Sequence, residues 1–461
     1  MPELQGYQVI QAMEIEQTYI AYLQKDQAMA IVELDPATGT PVAIRFDQAD
    51  REPGETTQST ASDAELLDRA ERFLQQFRGA KEGEYRAYQV LKDSLSVQDD
   101  ADLERRVVLY RYVNGIRFDR DYYMVTLNPA GDVISCTHAG PFFTDQQFPA
   151  ADGLIGVEAA NKALYSSFQL QYISRFRESV NVDAAEAGEV RPLLMYAPFT
   201  GSPVDGQIDA RTGEVYAVNG SPQQVSLQPP PSPLALNTVE GATVFVQNGC
   251  GVDLSGLEAK VAREENQIRY RWELGQNNAI ELLVNAHTGE LILFQGEGMG
   301  RQVLVQPEAA RETVVRAVEK LLSPAAKEGY IKELIDVQGS DDKIYWARYF
   351  YIFYESRNGI IVADSGYQVE VNPETGQVML IRRTGSPAAD LPDPSTAVAP
   401  EAAYREYQNV HPLELIYTLQ EGSVVPTLVY QPAGDRDVHI DAVAGRAVRG
   451  QTGDEFRETE D

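Results

Sequence analysis

The chain has 461 residues, with 39 Lys and Arg against 69 Asp and Glu, a formal net charge of -30. That length exceeds one ordinary hydrophobic core and points to about three domains. So much negative charge repels phosphate backbones and anionic lipid headgroups, which argues against nucleic-acid and membrane-surface binding and leaves cationic partners open.

The N-terminus, MPELQGYQVIQAMEIEQ, has neither a basic start nor the apolar core of a secretory signal, so a cytoplasmic location is expected if Met1 is the native start. No run approaches the ~18 apolar residues that span a bilayer, so no membrane span is expected. The first recurrent feature is a corner. DPATGTPVAI (35–44) is followed by NPAGDVIS (128–135), DARTGEVYAV (209–218), NAHTGELILF (285–294), NPETGQVMLI (372–381) and DAVAGRAV (441–448). Asp or Asn at the head can bond the backbone two residues on, proline presets φ, and the closing glycine supplies a left-handed residue. Such a corner joins neighbouring antiparallel strands. Six of them predict six small antiparallel sheets or hairpins.

Four amphipathic helices lie between the corners. SDAELLDRAERFLQQFRG begins with Ser62 and Glu65 at capping-box spacing, places Leu66, Ala70, Phe73, Leu74 and Phe77 on one face, and stops at Gly79. VEAANKALYSSF starts at Val157. QPEAARETVVRAVEKLLS has Pro307 in its first turn and a stripe of Val314, Val318, Leu321 and Leu322, and PEAAYREYQNV starts at Pro400. One-sided helices need one-sided sheets to cover, so the fold class is α+β, with helices laid on hairpin-built antiparallel sheets.

The elements repeat. Asn114-Gly115-Ile116 precedes Asn128-Pro129, and Asn358-Gly359-Ile360 precedes Asn372-Pro373, with the same spacing of 14 (128 minus 114, 372 minus 358). Tyr123 matches Tyr367, Val125 matches Val369, and Pro192 and Tyr196 match Pro426 and Tyr430. The sequence therefore divides into an N-terminal half, 1–227, a proline-rich linker, 228–237, a C-terminal half, 238–450, and an acidic tail, 451–461, read as disordered. Each half is expected to hold three hairpin modules, and the first half to fold without the rest.

Chemistry is scarce. His138, His287, His411 and His439 show no metal-ligand spacing, and neither a nucleophile motif nor a phosphate loop occurs. No catalytic, cofactor-binding or metal residue is assigned, and no cofactor. Cys250 in QNGCGVD is the sharpest catalytic candidate, since glycines on both sides would leave it exposed on a tight turn, but no histidine is nominated as its base. Cys136 and Cys250 could form one disulfide or none. Asp341-Asp342 reads as a solvated loop. IYWARYFYIFYES (344–356) reads as a central strand buried on both faces, the alternative being a partner-binding platform.

An aromatic strand, Asn-Gly-Ile, an apolar residue two places on (Phe118, Val362), an alternating strand and a glycine corner together resemble the PepSY and peptidase-propeptide modules. Two such halves resemble the YcdB/YcdC repeat family. The resemblance implies helices on antiparallel sheets and a part in holding or inhibiting another protein, a peptidase or cell-wall hydrolase, rather than catalysis. It also implies a place outside the cytoplasm. The function expected is thus a non-catalytic protein-interaction module. An uncharacterised hydrolase, or a structural envelope or spore component, is the alternative.

Overall fold

A computed structural model describes residues 3–15, 18–47, 61–92, 104–179, 187–198, 206–216, 222–232, 234–275, 278–296, 302–340, 343–420, 423–434 and 438–451. Asp341, Asp342 and the acidic tail from 452 onward lie outside them.

Up to residue 226 the chain forms β1 (Gln8–Ile15), β2 (Thr18–Lys25), β3 (Ala28–Leu34), β4 (Pro41–Phe46), α1 (Asp63–Arg78), β5 (Tyr85–Lys92), β6 (Arg105–Val113), β7 (Ile116–Leu127), β8 (Val133–Ala139), α2 (Val157–Tyr165), β9 (Phe168–Ser179), β10 (Ala187–Pro198), β11 (Gln207–Asp209), β12 (Val215–Tyr216) and β13 (Gln223–Ser226). Beyond it come α3 (Val239–Val244), β14 (Lys260–Arg263), β15 (Gln267–Gly275), β16 (Asn278–Asn285), β17 (Leu291–Gln295), α4 (Pro307–Glu319), β18 (Glu328–Ser340), β19 (Lys343–Arg357), β20 (Ile360–Val371), β21 (Val378–Gly385), α5 (Pro400–Val410), β22 (Leu413–Thr418), β23 (Thr427–Pro432), β24 (Val438–Asp441) and β25 (Arg446–Gln451).

The class is α+β, dominated by sheet. Instead of six small sheets there are two large ones, of 12 and 13 strands. An isolated hairpin leaves two rows of backbone N–H and C=O groups unpaired, and joining hairpins edge to edge satisfies them. The path of the first sheet begins β1-β2-β3-β4-β8-β7-β22-β23, with β6 and then β5 branching from β7. The second runs β10-β24-β25-β9-β20-β21-β17-β16-β15-β14, with β19, β18 and β13 branching from β20.

All six corners join antiparallel neighbours, and their glycines are left-handed: Gly39, Gly131, Gly213, Gly289, Gly376 and Gly445 have φ between 65° and 86°. The Asn372 Oδ1 accepts from the Glu374 and Thr375 N–H groups at 2.8 and 3.3 Å, and Asp35, Asp209, Asn285 and Asp441 cap their corners in the same way. The Asn128 corner is one residue tighter, closed by the Gly131 N–H on the Asn128 carbonyl at 2.8 Å.

The helices form as their periodicity predicts. In α1 the Ser62–Glu65 capping box is complete, Gly79 ends the helix at φ 66°, and Leu66, Ala70, Phe73, Leu74 and Phe77 are buried. They pack on Val107, Leu109, Tyr123 and Val125. In α4 the buried stripe is Ala310, Val314, Ala317 and Val318. Leu322 continues it, and Leu321 is only partly buried. The aromatic strand β19 buries Tyr349, Tyr351 and Phe353 beneath α4, with the Tyr349 and Tyr351 hydroxyls donating to the Val305 and Pro307 carbonyls at 3.0 and 2.9 Å. Its opposite face is half-buried at Phe350 and Ile352 and buried at Tyr354, so the strand is core all along one face and only in part on the other.

Two compact units emerge. The first comprises residues Met1–Ile155, Asp209–Thr212 and Glu414–Gln431; the second comprises Gly156–Ile208, Gly213–Leu413 and Pro432–Asp461. These units cut across the halves read from the sequence. Within the first, β22 from late in the chain pairs parallel to β7 at Arg117↔Ile416 and Phe118↔Tyr417. Within the second, β9 from early in the chain pairs parallel to β20 at Ile361↔Gln171 and Val362↔Tyr172. The tyrosines fasten both junctions alike: the Tyr417 hydroxyl donates to the Pro149 carbonyl at 2.8 Å, and that of Tyr172 to Pro392 at 3.0 Å. The proline-rich stretch is not a free spacer either. Leu227 and Leu236 at its ends are buried in the core of the second unit, and the Leu227 N–H donates to the Lys327 carbonyl at 2.9 Å. Prolines remove donors but leave carbonyls and flanking apolar groups free to pack.

Candidate functional site

Cys250 does not sit exposed. It closes a π-turn (Phe245–Gly249) that continues α3, and its side chain lies in the core of the second unit, where burial pushes the thiol well above its ordinary pKa. A thiol so placed is neither ionised nor reachable. Cys136 is likewise buried and free, so the two cysteines are unpaired.

The histidines separate. His411 is a buried bracket whose ring nitrogens lie 3.0 and 2.9 Å from the Ala433 and Val438 carbonyls. His287 donates its backbone N–H to Asn285 in a corner, and His439 packs edge-on against Phe176. His138 joins a polar cluster under α1. The fully buried Asp121 carboxylate accepts from the Tyr85 hydroxyl at 2.8 Å, lies 2.9 Å from His138 Nε2 and 3.3 Å from the Arg111 guanidinium, which also reaches Asp145 at 2.7 Å. Burial and the neighbouring carboxylate raise the Tyr85 phenol far above its usual range, so it stays protonated and donates. The same place in the second unit holds the opposite arrangement: Arg383 approaches Glu355 at 3.9 Å and Tyr367 at 3.3 Å, and Ser365 donates to Glu355 at 3.2 Å. Each cluster pairs a carboxylate, fully buried at Asp121 and partly buried at Glu355, with a cation, which is how charge is tolerated in a core. Among the described residues no group of three or more His, Cys, Asp and Glu is arranged to hold a metal ion, and no helix is long and apolar enough to cross a membrane.

The most distinctive surface lies on the other face of the same strands. Side chains alternate across a strand, so Leu109 and Tyr123 face α1 while the cross-strand pair Tyr110↔Tyr122 faces away from it. Tyr110 lies 5.4 Å from the exposed Tyr88 of β5 and 5.6 Å from Tyr122. The Arg117 guanidinium is stacked beneath, 4.3 Å from the Tyr88 ring and 5.1 Å from Tyr110, and is held by Glu414 at 3.0 Å. The exposed Arg86 covers Tyr112 at 4.6 Å. Stacked guanidinium groups hold the rings at low entropic cost, and Tyr and Arg are the residue types that dominate binding surfaces.

These rings flank an open sheet edge. Among the described residues β5 has one strand partner, β6, so half of its backbone groups point outward. One of them, the Ala87 N–H, is met by the Glu71 side chain of α1 at 2.6 Å. A second open edge among the described residues is β1, whose one described strand partner is β2 and which exposes Val9, Ile10 and Ile15. The edge strand β14 is blunted instead: four exposed residues, two of them Lys260 and Arg263. The alternation of Tyr with Arg in YRAYQVLK and LYRYV was the sequence signal for the tyrosine surface; it passes unnoticed when those strands are read only as bulk around a core.

No family model matches the chain, and no curated protein sequence matches it. The family resemblance of the sequence therefore rests on its motifs alone. Among solved structures the chain is similar to the C-terminal domain of YpeB from Bacillus megaterium, at 10% identity and a TM-score of 0.30, over 47% of this chain and 97% of that one. It is also similar to an uncharacterized protein from Eubacterium rectale, at 9% identity and a TM-score of 0.28, over 65% of this chain and 100% of that one.

Proposed function

We propose that the chain is a non-catalytic protein-interaction module, PepSY-like and built by duplication of a three-module half, that binds or modulates a peptidase or a cell-wall hydrolase. The observation that carries this is the open β5 edge flanked by Tyr88, Tyr110, Tyr112 and Tyr122. Main-chain groups there offer affinity, and the rings offer contact area that is already ordered. The burial of Cys250 and the paired charges of the His138 cluster fit a scaffold rather than a reaction centre.

The test is capture from source lysate and envelope fraction by the full chain, beside a Tyr88→Ala/Tyr110→Ala variant of matched unfolding behaviour. A peptidase or cell-wall hydrolase retained by the first and lost by the second supports the reading. Equal capture by both overturns it. So does turnover of a peptide or ester substrate by the purified protein that disappears in Cys250→Ala.

A further inference from the structure

The two halves of the sequence exchange their late modules reciprocally. Tyr196 and Tyr430 are matching residues, and each hydroxyl donates to a carbonyl of the other half: Tyr430 to Ile155 at 2.7 Å, and Tyr196 to Val398 at 2.9 Å. Ile155 and Val398 donate their own N–H groups to the Ala210 and Ala442 carbonyls, in the matching Asp209 and Asp441 corners, at 2.8 Å each. The Ala210 and Ala442 N–H groups then cross to the other half, donating to the Leu428 carbonyl at 3.0 Å and to that of Leu194 at 2.8 Å. The Tyr417 bond to Pro149 and the Tyr172 bond to Pro392 obey the same rule. Their acceptors match as well, since Pro149 and Pro392 are as far apart as Ile155 and Val398, 243 residues (392 minus 149, 398 minus 155).

Strand pairing repeats the exchange. In the second unit β10 pairs antiparallel with β24 at Met195↔Asp441 and Tyr196↔Ile440, and β9 with β25 at Glu178↔Gly450 and Arg177↔Gln451. In the first sheet β23, from the second half, lies beside β11, from the first. The hairpin of each late module is thus extended by the corner of the other. When a residue of one copy meets a second residue of the other, and the matching pair meets in reverse, the contact is isologous, the pattern by which two identical chains associate. Here both copies belong to one chain.

Neither unit is therefore built from one half. The first takes β22 and β23 from the second half, and the second takes α2, β9 and β10 from the first. The tyrosine surface depends on the exchange too, because Glu414 of β22 holds Arg117 beneath Tyr88 and Tyr110. The proline-rich stretch that links the halves covalently enters none of these reciprocal bonds, and at Pro231 and Ser232 it is exposed.

We propose that this covalent link is dispensable once the chain has folded: cleavage between Pro231 and Ser232 leaves residues 1–231 and 232–461 as one non-covalent pair that keeps both units and the tyrosine surface. Parting the pieces means withdrawing β22 and β23 from the first unit and β9 and β10 from the second, so separation and unfolding are a single event. A peptidase that cuts the exposed stretch nicks the molecule without releasing either half. The inference does not rest on what the tyrosine surface binds.

The experiment inserts the recognition sequence of a site-specific protease between Pro231 and Ser232 of the full chain and cuts it after folding. The two pieces should elute together at the volume of the uncut chain, down to about 10 nM, with the near-UV circular dichroism unchanged. Isotope-labelled and unlabelled cut proteins are then mixed and followed by native mass spectrometry. Mixed pairs should form no faster than the chain unfolds, and should appear in full after unfolding and refolding. Pieces that elute apart while each keeps a native near-UV signal overturn the proposal. So do mixed pairs that form within minutes without loss of that signal, since complete halves resting on one another's surfaces exchange freely. If the inserted sequence prevents folding, the two pieces are made separately and refolded from denaturant. A native signal from the mixture and from neither piece alone supports the proposal, whereas pieces that fold alone, or a mixture that stays unfolded where the uncut chain refolds, overturn it.

Discussion

Residues 1–227, expressed alone, should not give a cooperatively folded protein. The sequence divides there, but the first unit is completed by β22 and β23, which such a fragment lacks. Ile416, Tyr417, Leu428, Val429 and Tyr430 on those strands are buried, each less than a tenth exposed. At ~1.5–3 kcal/mol for each large apolar side chain removed from water, their loss withdraws roughly 10 kcal/mol, comparable to the ~5–15 kcal/mol that holds an ordinary domain together. The losses include the Tyr430 hydroxyl bond to the Ile155 carbonyl at 2.7 Å and the Arg117–Glu414 pair at 3.0 Å. Within the same fragment, β9 loses β20. Near-UV circular dichroism and dye binding during thermal unfolding would report the outcome. The expected result is a broad transition, with dye bound by exposed apolar surface and the α1 core alone retaining structure. In the full chain, Tyr417→Ala should cost about 3–5 kcal/mol, the usual range for truncating a buried aromatic. A sharp transition of the fragment with a native near-UV signal would show that β22 and β23 are not needed to complete the first unit. It would mean that β9 can take the place of β22 on β7, with Tyr172 where Tyr417 sits.

The corner glycines and two desolvated acids can be tested in the same way. Gly39→Ala should cost about 1 kcal/mol by denaturant titration, since φ is 68° and nothing lies within 4 Å of the added Cβ. Gly140→Ala should cost more than about 3 kcal/mol, since at φ 98° its Cβ would lie 1.6 Å from the Arg120 carbonyl oxygen; equal costs would remove the distinction. Burial raises the Glu355 and Asp364 carboxyls, against Arg383 at the first and the Ser174 and Arg175 N–H groups at the second. A raised acid contributes stability that is complete below its unfolded pKa of about 4 and is lost as the pH rises through the higher folded value. The unfolding midpoint should therefore fall from weakly acid to neutral pH, and Glu355→Gln should flatten that slope, whereas an unchanged slope would show that the general repulsion of the acidic chain causes it.

What the sequence determined by itself is the local structure. A head Asp or Asn, a closing glycine and an alternating strand specify a corner through contacts within five residues, so all six corners and the left-handed Gly376 could be read directly. The α1 box and its buried face were legible for the same reason, since capping and 3.6-residue periodicity are local. The tertiary structure decided which hairpin joins which. The two corresponding late modules carry similar strands and similar tyrosines, and no local rule says whether Tyr172 or Tyr417 should dock beside Phe118. Parallel pairing over hundreds of residues is set by the packing of whole sheets, and a strand pattern serves either partner equally well. The candidate site follows the same division. Its tyrosines and arginines are visible as an alternation, but that β5 stands at an open edge while β18 is covered by β13 depends on which strands the rest of the chain supplies.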